Sequence, residues 1–175
     1  MIVIKSKDVL RNGVNLSTCD RANAAHLDGD AGTVMSGMLL VNMTGVVTLG
    51  RTAVVPETGR TAVVSVDVSA WRVDEATIPA EYIALFLNSP AGIAQTIRFQ
   101  TGSSRQLHLY PEHIRNLWIF VRRTGRGEMD TRWHEQLACD ARAASEARLR
   151  ATDPLQNLHG AIAAAIGLNP RVYRE

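Results

Sequence analysis

The chain has 175 residues, of which 46% are hydrophobic and 21% charged. That balance excludes disordered, collagen-like and disulfide-dense scaffolds, and the length suits one domain with an appendage. The net charge of +2 conceals an uneven distribution: Lys5 and Lys7 are the lysines, every other basic residue is arginine, and residues 98–126 carry six arginines against the single acid Glu112. A local excess of this kind marks a candidate anion-facing surface, with a solvated face as the plain alternative.

The first two-thirds reads as short β runs at 2–4, 38–43, 46–55 and 61–68, separated by glycine-rich turns. Between the first two, residues 12–37 are polar and read as a long loop with at most one short element. Pro79 opens a helix that stops before Asn88-Ser89-Pro90, and a second short helix covers 91–97. Gly102-Ser103-Ser104 is a turn, 106–109 a short strand, 111–116 a helical turn, and the apolar run 117–121 a buried strand. After the Gly125-Arg126-Gly127 break, residues 129–150 lack proline and glycine and predict a helix with an apolar stripe through Met129, Trp133, Leu137, Ala141 and Ala144. Asp153 and Pro154 read as the cap and first turn of a further helix reaching Ile166.

The expected fold is therefore α+β: a mixed, twisted β-sheet domain with short helices over residues 1–124, then a C-terminal helical hairpin or coiled-coil arm over 125–175. The apolar runs fall short of the roughly 20 residues that a membrane helix needs. The first residues carry no export signal, so the expectation is a cytoplasmic protein with no membrane partner.

Motifs for chemistry are absent. Cys19 and Cys139 have no CxxC spacing, and His26, His108, His113, His134 and His159 form no HExxH pair, so no metal is expected. Gly102-Ser103-Ser104-Arg105 lacks the second glycine of a nucleophile elbow, and neither GxGxxG nor a P-loop occurs. The reading is a protein without catalysis and without a cofactor.

The ordered succession of three segments resembles the target recognition domain of type I restriction-modification specificity (S) subunits. Residues 34–51 resemble that family's apolar strand followed by TG-x-x-x-GR, with Met38 in place of the usual acid. Residues 78–92 are similar to its helix ending in L-x-S-x-x-G, and residues 101–117 to its GS-x-x-x-x-L signature. The likeness covers residues 2–121 and one recognition domain, whereas S subunits commonly carry two, so it implies a single-domain or half-subunit form that would dimerise through its C-terminal helices.

The resemblance implies a module that recognises double-stranded DNA sequence-specifically and directs a methyltransferase subunit and a restriction subunit. Ser103, Ser104, Arg105 and Gln106 would lie on a loop at the major groove, where hydroxyls and carboxamides hydrogen-bond base edges and an arginine forks onto guanine or phosphate. Lys5, Lys7, Thr44, Arg51 and Arg98 are the secondary DNA-binding candidates. The alternative is the same fold repurposed as a protein-interaction or regulatory module acting through Trp118, Trp133 and the helical tail.

Overall fold

The computed structural model describes residues 1–11, 13–23, 32–103 and 106–165, with backbone alone over 152–165. Strands β1 (Ile2–Ile4), β4 (Asp20–Arg21), β5 (Thr33–Val34) and β8 (Ala62–Val64) form one sheet in the order β4-β1-β8-β5. It is mixed: β1 pairs parallel with β8, with Ile2 opposite Ala62, while β4 and β5 run antiparallel to their neighbours. Strands β2 (Val9–Leu10) and β3 (Gly13–Val14) make a small hairpin, and β6 (Leu39–Asn42) is the centre of a three-stranded antiparallel sheet between β7 (Thr52–Val54) and β9 (Val68–Trp71).

All four residues of β6 are buried. Leu40 points into one apolar cluster with Ile4, Val9, Ala53 and Val55, and Leu39 and Val41 into another with Ala84, Leu109 and Ile114. The period of two along a strand thus feeds two cores from one element.

Helices α1 (Ala80–Leu87), α2 (Pro90–Phe99) and α3 (Pro111–Arg115) follow. Asn88 ends α1, and its carboxamide ties the helix to β7 by accepting from the Thr52 N–H at 3.2 Å and donating to the Thr52 carbonyl at 2.7 Å. Ser89 caps α2, with Pro90 in the first turn where its missing N–H costs nothing. A Cβ at Gly92 would overlap the Leu87 backbone, so glycine is what lets α2 turn this tightly against α1. This is the physical content of the L-x-S-x-x-G pattern.

Helix α4 (Thr131–Ala165) packs its first half on α1. Arg142 pairs there with Glu81, and Trp133 and His134 sit edge-on against Tyr82. Among the described residues no helix is long and apolar enough to cross a membrane.

The α+β class holds, but several expected elements differ. Residues 46–50 form a turn, with Leu49 N–H donating to Gly45 and Arg51 N–H to Thr48, and leave Val46 and Val47 exposed, so only the end of 46–55 is strand. The run 61–68 is divided because the Val68 N–H closes a turn on Ser65, transferring the chain from one sheet to the other. Among the described residues of the polar stretch 12–37 there are three strands of two residues each, too short to leave a periodic signal. Residues 106–109 contribute only isolated bridges, from His108 to Thr44 and Thr101. Residues 117–121 are not a strand, since no strand lies beside them, and Trp118 and Phe120 are exposed.

In place of two helices in a hairpin, one helix runs through 150–154. Pro154 within this helix leaves the Arg150 carbonyl without its usual backbone donor.

Candidate nucleic-acid interface

The C-terminal end of β6 is where most of the sequence-derived candidates meet. Asn42 is buried there; its N–H donates to the Arg51 carbonyl at 3.0 Å and its carboxamide to the Ser6 carbonyl at 2.8 Å. Those two bonds bring the Lys5 to Lys7 turn and the start of β7 to one place. The Met43 N–H donates to Asp67, and the Thr44 hydroxyl donates to the Asp67 carboxylate at 2.8 Å.

Beside Thr44 stands the loop of the GS signature. Its base is closed by two bonds between Thr101 and His108, of 2.8 and 2.9 Å, and stitched to the β6 end by the Gly45 N–H on the Leu107 carbonyl. Gly102 has a φ of 103°, a region that side chains rarely adopt, and this kink lifts Ser103 and Gln106 into solvent. Ser104 and Arg105 lie outside the described residues.

Arg98 is exposed in the last turn of α2, a helix that reaches this end because Thr96 packs on Gly50. Backbone and carboxamide bonds thus bring the segments that carry Lys5, Lys7, Thr44 and Arg51 to the end of β6, with the GS loop beside Thr44, while Arg98 lines a groove with Phe86, Gln95 and Trp118.

Their electrostatic states differ. Lys5 and Lys7 share the carboxylate of Asp20, at 2.6 and 3.6 Å, and all three groups are about half exposed. The bond and charge of Asp20 raise the Lys5 pKa, and those of Lys5 lower that of Asp20. Arg51 is the reverse case: burial first, then the positive charges of Arg11 and Arg148, hold its pKa below the usual guanidinium value. A guanidinium surrounded by its own sign favours an anion nearby.

Residues 111–126 carry further cations. Arg115, Arg122, Arg123 and Arg126 are all exposed. Arg115 lies over Trp71, and Arg122 over Trp133 while paired with Asp130 at 3.3 Å. Tyr110, 47% exposed and stacked on His108, adds an aromatic surface beside the GS loop. Sequence reasoning passed over Tyr110, Arg11 and Arg148. The two arginines lie outside the basic window, and only the packing of β3 on α4, where Gly13 meets Ser145, brings their segments towards Arg51.

Nucleophile chemistry finds little support in the thiols. Burial and then the Asp8 carboxylate push Cys19 up to about 12, which keeps it protonated at neutral pH. Among the described residues no three His, Cys, Asp or Glu side chains are grouped to hold a metal ion.

No protein-family model matches this chain, and no curated protein matches it in sequence.

Proposed function

We propose that the chain is a sequence-specific double-stranded DNA recognition module of a restriction-modification system, without chemistry of its own, that directs a methyltransferase and a nuclease partner. The observation that carries this reading is the meeting of the segments bearing Lys5, Lys7, Thr44 and Arg51 with the GS loop at the end of β6, together with the exposed Arg98, Arg115, Arg122, Arg123 and Arg126. Phosphates neutralise such a surface and set register, while Ser103, Gln106 and their neighbours Ser104 and Arg105 read base edges. The 35-residue α4, about 52 Å long, serves in this reading as the arm that pairs with a second copy.

Duplex DNA titrated at several salt concentrations tests the proposal. Affinity should fall with salt, with a slope that drops by about one for Arg98→Gln, and Arg105→Ala should cost about 1–3 kcal/mol on a preferred site only. A salt-independent or undetectable interaction overturns it.

The interaction-module reading keeps one specific observation, the 82% exposure of Trp118. Trp133 does not share it, being half-buried among Tyr82, Phe120 and His134.

A further inference from the structure

Residues 117–121 look like a strand that lacks a neighbour. Leu117, Ile119 and Val121 are half-buried while Trp118, Phe120 and Arg122 are exposed. That alternation is the mark of extended backbone, in which successive residues aim their N–H and C=O groups at opposite edges.

The edge at 118, 120 and 122 is occupied by side chains. The Gln95 carboxamide accepts from the Trp118 N–H at 2.7 Å and donates to its carbonyl at 3.0 Å. The Tyr82 hydroxyl donates to the Phe120 carbonyl at 2.8 Å, and Nε2 of the buried His134 accepts from the Arg122 N–H at 3.2 Å. Helices α2, α1 and α4 together imitate a neighbouring strand. On the other edge, among the described residues, the backbone groups of Ile119 and Val121 have no hydrogen-bond partner. A rigidly held segment with one edge satisfied and the other open is a template for strand addition.

We propose that the Ile119 and Val121 edge docks an extended acidic segment of a partner protein as an added strand. A cavity of about 430 Å³ lined by Phe86, Gln95, Arg98, Phe99, Trp118 and Phe120 lies on the side of the segment that Gln95 holds. Trp118 and Phe120, both exposed, offer apolar surface to an added strand. Arg122 is already paired with Asp130, so Arg98, Arg115 and Arg123, against Glu112, set the sign of the flanking residues, and the fitting segment alternates apolar residues with acids.

A second copy of the same edge fits less well, because it brings a further cluster of arginines, Arg115, Arg122 and Arg123, to an already basic surface. Single-stranded nucleic acid would stack on Trp118 but leave the open amides unbonded. Duplex recognition needs neither the open amides nor Trp118, and Arg98 is the residue the two surfaces share.

A ten-residue peptide alternating valine and glutamate is the probe, titrated against the whole chain by tryptophan fluorescence, with Trp118→Phe identifying the reporter. Saturable binding is expected, together with slowed hydrogen exchange at the Ile119 and Val121 amides, and no binding of the valine-lysine counterpart. Val121→Pro removes one donor and should weaken the peptide about tenfold while duplex DNA affinity stays unchanged. Amide protection in the unsubstituted chain decides the matter should that variant fail to fold. The proposal is overturned by no peptide binding, by binding without amide protection, by a thymine oligonucleotide binding in the peptide's place, or by self-association protecting the same amides.

Discussion

Two apolar runs of similar composition, residues 39–42 and 117–121, end in opposite environments. The first is the central strand of its sheet, with β7 and β9 on its edges and an apolar cluster on each face. The second has helix side chains on one edge, open backbone on the other, and exposed Trp118 and Phe120. An apolar run states that a segment tolerates extended backbone. Whether it becomes a core strand depends on layers that the segment does not itself encode.

That contrast can be broken by measurement, beginning with the core strand. Leu40→Ala should lower the unfolding free energy by about 2–5 kcal/mol in urea, because Leu40 is fully buried among residues of the first cluster. An equal loss for Phe120→Ala would place the two runs in the same class. Asn88→Ala follows at about 1–3 kcal/mol, since it strands the N–H and carbonyl of the fully buried Thr52. Calorimetry showing no change there would mean that the α1 to β7 tie is dispensable.

Trp118→Ala should stay within about 0.5 kcal/mol of the parent, as an exposed side chain does. A drop of several kcal/mol would sharpen the picture differently, making Trp118 part of a core. The gentlest probe leaves stability untouched. At pH 8 a thiol reagent should modify exposed Cys139 while Cys19, held up to about 12, remains a thiol, giving one rapid equivalent per chain. Deprotonation and labelling of Cys19 should rise only as the pH approaches that value, so equal rates at pH 8 would deny its burial.

Much of the scaffold was readable from local chemistry. Pro79, the Ser89-Pro90 pair and the Gly102 turn each force a backbone outcome within a few residues, and each stands where expected. The candidate interface was readable only in part. Thr44 and the GS loop were named as separate motifs, but their meeting depends on the Gly45 N–H bonding the Leu107 carbonyl and on the bridge between Thr44 and His108. The split of 61–68 and the turn at 46–50 were missed because hydrophobicity alone does not report a change of sheet.

By itself the sequence determined where α1 and α2 break at Asn88-Ser89-Pro90, which runs could extend, and that arginine crowds into residues 98–126, because caps, φ preferences and charge are properties of neighbours along the chain. Tertiary structure alone decided which strand lies in the middle, that Trp133 is covered while Trp118 is not, and that among the described residues one backbone edge at 117–121 stays open. Those outcomes are set by contacts between residues tens of positions apart, such as Gln95 with Trp118 and Tyr82 with Phe120, whose existence no local pattern records.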